Sequence, residues 1–164
     1  MKPLDGIRVL DISRMVAGGI AGMLLADFGA DVVKVEQPGN GDPLRQWTAG
    51  GRALWWKVYA RNKRFVTLNL KSAEGRDLLL KMLPQFDVMM ESFVPGTLER
   101  LGLDWDTLRA HHPKLILVRI SGWGQTGPDS RRPGPDRGGD RRASSLAGAR
   151  PDRGGAQRLS LIHI

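Results

Sequence analysis

The chain contains no cysteine. That excludes a disulfide framework, a thiolate metal site and a thiol nucleophile, and it is compatible with a reducing compartment. An apolar leader is also missing: the first five residues read Met-Lys-Pro-Leu-Asp, without the hydrophobic core of a signal peptide. No stretch approaches the roughly 20 apolar residues that cross a bilayer. The expectations are therefore a cytoplasmic protein and no membrane association. Catalytic constellations are equally sparse. His111 and His112 are adjacent and followed by Pro113, which matches neither metal-ligand spacing nor the base of a nucleophilic pair. They read as a surface pair at a helix end, and no Ser/His/Asp set emerges.

What is present suffices for one domain. A chain of 164 residues is long enough to bury roughly two thirds of the surface its unfolded form exposes. The net charge is +8, but residues 129 to 158 hold eight arginines against four aspartates and so supply half of it. The remaining body mixes a mild basic excess with many acids. That is the pattern of a solvated face or of a site for a polyanionic small ligand, so no nucleic-acid partner is expected.

Strand and helix patterns alternate along the chain. Residues 7 to 12 read as a strand, residues 17 to 28 place Ile20, Met23, Leu24 and Phe28 at helical spacing, and residues 31 to 36 make a second strand. About thirty residues of strand, helix and strand are the length of a right-handed parallel crossover. Beyond a long loop with Trp47, Trp55 and Trp56, residues 65 to 70 alternate at period two and predict a third strand closed by Lys71. Ser72 predicts a helix cap with Glu74 near the positive end, and Pro84 predicts the stop. Residues 86 to 91 predict the fourth strand. Pro95 fits the first turn of a short helix ended by Gly102, and residues 104 to 111 predict one more. The fifth strand, residues 115 to 120, empties into a loop carrying Gly122, Gly124 and Gly127. Together these predict an α/β fold, a Rossmann-like parallel sheet with flanking helices, over residues 1–128.

From Asp129 the composition changes to arginine, glycine, proline, alanine and aspartate, with a single leucine and no aromatic residue before Leu159. No core can be built from that mixture, so residues 129–164 read as a disordered basic tail. A sharper reading is also open. These residue types share GC-rich codons, as in coding DNA translated in a wrong frame, and Leu159 to Ile164 resembles translated sequencing adaptor.

Candidate chemistry clusters where the predicted strands end. The turn from Ser13 to Gly22 brings glycines to a helix start, where free N–H groups and the helix dipole favour an anion, though glycine there also packs helix against strand. Glu36 stands roughly where a dinucleotide fold places its ribose-binding acid, which keeps an NAD-dependent oxidoreductase open as an alternative. Lys71 at a strand end and Arg100 on a short helix beyond the fourth strand could bring two cations to one rim, suited to phosphate. The tryptophans at 55 and 56 read as packing. A noncatalytic nucleic-acid domain with a basic tail is a further alternative.

Five phrases then combine in one order and spacing: Pro3-Leu-Asp-Gly-Ile-Arg-Val-Leu-Asp11, Leu25-Ala-Asp-Phe-Gly-Ala-Asp-Val-Val-Lys-Val-Glu36, Asn62-Lys-Arg64 with Leu68-Asn-Leu-Lys71, Phe93-Val-Pro-Gly-Thr-Leu-Glu-Arg-Leu-Gly-Leu103, and Gly122-Trp-Gly-Gln-Thr-Gly-Pro128. This resembles the amino-terminal part of the family III CoA-transferases, the CaiB/BaiF group that includes formyl-CoA transferase and α-methylacyl-CoA racemase. The resemblance implies an enzyme that moves CoA between carboxylic acids, with coenzyme A or acyl-CoA as substrate, no permanently bound cofactor and no metal. An aspartate attacks the thioester to give a mixed anhydride; CoA leaves and returns as the attacking thiolate. The implied CoA contacts are Val16, Leu68, Asn69, Leu70, Lys71, Ser92, Phe93 and Arg100, with backbone hydrogen bonds from most and phosphate pairing by Lys71 and Arg100. The chain departs from the family at Ser92, where many members have asparagine, at Val94, where many have arginine or glycine, and at Gln37, where formyl-CoA transferase has arginine.

The resemblance also implies an interlocked homodimer for full-length members. The nucleophilic aspartate is expected some forty residues beyond the glycine loop, and none of Asp136, Asp140 and Asp152 stands in a matching motif. The expectation is a fragment cut before its nucleophile and inactive as written. The racemase branch would need a Gly-His-Asp-like phrase that Gly134-Pro-Asp136 does not supply.

Overall fold

The computed structural model describes residues 1–127 and Ser130; apart from Ser130, the arginine-rich tail expected over residues 129–164 lies outside the described residues. Five strands form one parallel sheet: β1 (Arg8–Asp11), β2 (Asp31–Glu36), β3 (Lys63–Thr67), β4 (Val88–Glu91) and β5 (Ile116–Arg119). The helices are α1 (Met15–Asp27), α2 (Leu54–Tyr59), α3 (Ala73–Met82), α4 (Thr97–Arg100) and α5 (Trp105–His111), with short 3-10 turns at Pro43–Gln46 and Leu83–Gln85. Across the sheet the order is β3-β2-β1-β4-β5. The chain thus winds one way from β1 through β3 and the other way from β4, and the reversal leaves a crevice at the carboxyl ends of β1 and β4.

Period-two alternation divides the sheet between two cores. Leu10, Ile12, Val33, Val35, Met89 and Leu117 pack with Leu79, Leu98, Leu103 and Leu108 on the side of α3 to α5. Val9, Val32 and Met90 pack with Ala26, Ala30 and Ile120 on the side of α1. Covered on both faces, the inner strands read as near-continuous apolar runs, as parallel strands do. Each fully buried leucine contributes about 1.5–3 kcal/mol.

The α/β reading of the sequence therefore holds, with three local differences. The third strand runs over 63–67 rather than 65–70, because the Lys63 side chain is drawn beneath the sheet against Asp11. After Leu68 N–H reaches the Glu36 carbonyl, the chain turns at Asn69, so Lys71 lies four residues past the strand instead of closing it. In α1 the buried positions are Gly18, Gly19, Gly22, Met23 and Ala26, while Leu24 and Phe28 are exposed. The third difference is Pro95, which precedes the N-cap Gly96 (φ 82°) rather than sitting in the first turn of α4. Ser72 does cap α3, its Oγ accepting from Gly75 N–H at 3.1 Å.

Candidate functional site at the strand ends

Two clefts open where β1 and β4 diverge. The first, about 420 Å³, takes its apolar lining from Ile12, Val35, Leu68, Leu70, Phe93 and Leu101, and its polar lining includes Arg14, Lys71 and Thr97. The second, about 680 Å³, is lined by the start of α1, by Ser92 to Val94 and by Ile120 to Gly122. Arg14 and Phe93 line both and so form a common wall. That wall is fixed by one hydroxyl: Ser92 Oγ accepts from Arg14 N–H and donates to the Arg14 carbonyl, each at 2.9 Å. A side chain at the end of β4 thereby ties the β1–α1 turn across the switch point.

A buried ionic network lies directly below. Asp11 on β1, Lys34 on β2 and Lys63 on β3 share the α1 face, because Asp11 registers with Lys34 and Val32 with Lys63. Lys63 Nζ is 2.9 Å from Asp11 Oδ2 and also donates to the Gly19 carbonyl. Lys34 Nζ contacts Asp42 Oδ2 at 3.1 Å and the Ser13 carbonyl at 2.7 Å. Asp42 in turn accepts from Met15 N–H, the first residue of α1, which has φ 64°. The glycines of α1 belong to this network rather than to a phosphate loop: a Cβ on Gly22 would lie 2.7 Å from Lys63 Nζ. Burial pulls the Lys63 ammonium below its ordinary range, opposed by Asp11.

Glu36 and Glu91 end β2 and β4, and both are committed. Glu36 accepts from Arg45 Nε at 2.8 Å and from Asp42 N–H. Glu91 accepts from Arg119 Nε at 2.7 Å and from Phe93 N–H at 2.6 Å. Burial pushes the Glu91 carboxyl above the usual range, against the pull of Arg119.

The structure distributes the expected contacts over both clefts. Leu68, Asn69, Leu70 and Lys71 line the first, Val16 and Ser92 the second, and Phe93 both. Arg100 lines neither; its guanidinium donates to Thr97 Oγ1 at 2.7 Å, and Thr97 is the lining residue. The cation that shares the first cleft with Lys71 is Arg14. Among the described residues, neither the Arg14 guanidinium nor the Lys71 ammonium has an acceptor, and the N–H groups of Asn69 and Leu70 are likewise unengaged. The Asn69 carbonyl accepts from Ser72 N–H, and Arg76 holds the Lys71 carbonyl at 2.9 Å, so the loop is braced from behind. Trp56 packs on Phe65 and under Arg45, and Trp55 on Tyr59.

Sequence reading passed over Arg14 and the network of Asp11, Lys34, Asp42 and Lys63. One signal was present: charged residues interrupting apolar strands, opposite a helix whose matching face is glycine. Among the described residues no set of side chains is arranged to hold a metal ion, and no helix is long and apolar enough to cross a membrane.

A parallel sheet with clefts at its switch point places the chain among the doubly wound α/β proteins whose ligands bind at the strand ends. Within that class the chain belongs to CoA-transferase family III, whose family model matches residues 4–156. It is 52% identical over 130 residues to the succinyl-CoA–D-citramalate CoA-transferase of Chloroflexus aurantiacus, covering 77% of this chain and 32% of that protein. To the human succinyl-CoA:glutarate CoA-transferase it is 39% identical, covering 83% and 32%. Among solved structures, a CaiB/BaiF family protein from Brucella suis superposes with a TM-score of 0.74 at 39% identity, over 80% of this chain and 36% of that one. The chain thus spans about a third of the length of the curated relatives it matches.

Proposed function

We propose that this chain is the CoA-binding part of an enzyme that transfers CoA between carboxylic acids. The observation that carries the reading is the first cleft. Coenzyme A joins phosphates to an uncharged, partly apolar arm, and the cleft offers apolar lining from Leu68, Leu70 and Phe93 beside Lys71, a cation with no acceptor among the described residues. Unengaged N–H groups of Asn69 and Leu70 supply further donors for oxygen atoms of the ligand. Val16 and Ser92 extend the same contact set into the second cleft, and Arg100 acts through Thr97 or on phosphate outside the lining.

In this reading an enzyme aspartate attacks the acyl-CoA carbonyl and expels the thiolate of CoA, which then attacks the aspartyl carbon of the mixed anhydride, releasing the donor acid and leaving an aspartyl-CoA thioester. The acceptor carboxylate attacks that thioester and expels the thiolate again, and the thiolate attacks the acceptor carbonyl of the new anhydride, freeing the aspartate and completing the transfer. The buried acids Asp11, Glu36, Asp42 and Glu91 are each held by a lysine or arginine, which supports a nucleophile outside the described residues. The purified 164-residue chain should bind CoA and catalyse no exchange between succinyl-CoA and carboxylic acids. Fragment-dependent turnover would overturn the placement of the nucleophile, and absence of CoA binding would overturn the whole reading. Calorimetry with NAD in parallel tests the oxidoreductase alternative, which is weakened because Arg45 already occupies Glu36. Assembly with a second copy of the longer protein and a cytosolic location are parts of the same proposal.

A further inference from the structure

We infer that Arg14 recognises the carboxylate of the acid substrate, and that the second cleft receives the acid's apolar chain. The inference rests on the reading of the protein as a CoA-transferase and adds to it the residue that reads the acid.

The second cleft has an unusual charge composition. Met15, Val16, Pro43, Val94 and Ile120 contribute apolar surface, Ser92 and Ser121 contribute hydroxyls, and among the described residues Arg14 is the single ionised side chain in the lining. One cation in an otherwise apolar cleft matches a molecule with one negative head and a short uncharged body, which describes a small carboxylate. A polyphosphate would leave most of its charge unmatched there.

Arg14 is also free to act. Arg45, Arg61, Arg64, Arg100 and Arg119 all give their guanidinium groups to acceptors within the chain. The Arg14 guanidinium has none among the described residues, while its main chain is held at both N–H and carbonyl by Ser92. A guanidinium on an immobilised backbone retains the planar fork that pairs with a carboxylate through two parallel hydrogen bonds. Its position on the wall common to both clefts is where chemistry requires it, because the acid's carboxylate must meet the carbonyl of the CoA thioester carried on the enzyme nucleophile for CoA to pass to it.

The test uses the 164-residue chain and two isosteric probes, butyrate and the neutral butyramide, titrated while backbone NMR shifts are followed. The wild-type chain should bind butyrate at least tenfold more tightly than butyramide at pH 7, with shifts centred on Val16, Ser92 and Gly122. Arg14→Gln should erase that preference, and Arg14→Lys should keep part of it, since charge survives and the fork does not. A wild-type chain that binds CoA yet fails to prefer butyrate overturns this inference alone, as does a preference that persists in the folded Arg14→Gln variant. Failure to bind CoA at all sinks the transferase reading instead, whatever butyrate does.

Discussion

Lys63 Nζ lies 2.9 Å from Asp11 Oδ2, and neither side chain is reached by solvent. Two strands that are not neighbours in the sheet, β3 and β1, are joined beneath β2 by this pair, with Lys34 of β2 also 3.9 Å from Asp11. The pair sits under Gly19 and Gly22 of α1, so the helix approaches the sheet through ions rather than hydrocarbon. Its consequence for the site is indirect. The network fixes Asp42, which holds Met15 N–H and so sets where α1 begins, and α1 begins at the wall between the two clefts.

Removing one member of such a pair leaves the other buried and unmatched, which costs about 3–5 kcal/mol. Lys63→Met should lower unfolding free energy by that amount in urea titrations at pH 7. Asp11→Asn combined with Lys63→Met should recover part of the loss, because no lone charge is then left inside. The pH dependence has a definite sign. With a folded-state value below the free lysine's 10.5, the unfolded chain binds this proton more tightly. The contribution is therefore full above about pH 10.5, the value of a free lysine, and is lost as pH falls through the lowered folded value. Wild-type stability should rise across that window by an increment that Lys63→Met lacks; equal slopes in the two proteins would refute the assignment.

Gly75 positions the loop that lines the first cleft. Its N–H is capped by Ser72, and a Cβ there would overlap the Asn69 carbonyl oxygen, a main-chain atom with no freedom to move aside. Gly75→Ala should displace the segment from Leu68 to Lys71 and destabilise the chain by about 1–3 kcal/mol. Calorimetry should show CoA affinity falling at least tenfold, whereas Gly50→Ala, which strains a turn with φ 58° but lines neither cleft, should leave affinity unchanged.

The parallel sheet was legible because strands buried on both faces spell apolar runs, and Ser72 and Gly102 punctuate them as turn chemistry demands. The register of ions was not. Asp11, Lys34 and Lys63 are distant in sequence, and only the pairing of β1 with β2 and of β2 with β3 brings them to one face. Leu24 and Phe28 misled for a related reason. Helical spacing does not say which face is covered, and in α1 the sheet selects the glycine face so that the lysines fit beneath it. Arg14 escaped notice because nothing in its neighbours marks a residue whose significance is a missing partner.

Lys71 and Arg100 carry different expectations once their surroundings are known. Lys71 has no acceptor among the described residues and lines the first cleft, whereas Arg100 is tied to Thr97. A charge-assisted phosphate contact contributes about 1.5–3 kcal/mol, so Lys71→Ala should weaken CoA binding by about one to two orders of magnitude. The loss should shrink at high salt as screening weakens the contact in the wild-type chain. Arg100→Ala should have a smaller effect, matched by Thr97→Val if it acts through that hydroxyl. An Arg100→Ala loss equal to that of Lys71→Ala, with Thr97→Val silent, would show direct phosphate pairing instead.

Glu91 gives a second titration, of the same origin in burial but of opposite sign. Its carboxyl is fully buried between Arg119 Nε and Phe93 N–H, and burial raises it above the free value of 4.5. The folded chain consequently holds this proton more tightly than the unfolded chain does. The stabilising contribution is complete below about pH 4.5, the value of a free glutamate, and is lost as pH rises through the folded value. Arg119→Met removes the cation that opposes this shift, so the Glu91 titration followed by carbon NMR should move further upward. At neutral pH the variant should lose about 3–5 kcal/mol of stability, the usual consequence of a buried charge left without its partner. The deficit should narrow as Glu91 becomes protonated, and because Phe93 N–H depends on this carboxylate, the wall between the clefts should loosen with it. A Glu91 midpoint at or below 4.5 in the wild-type chain would contradict the burial argument from which all of this follows.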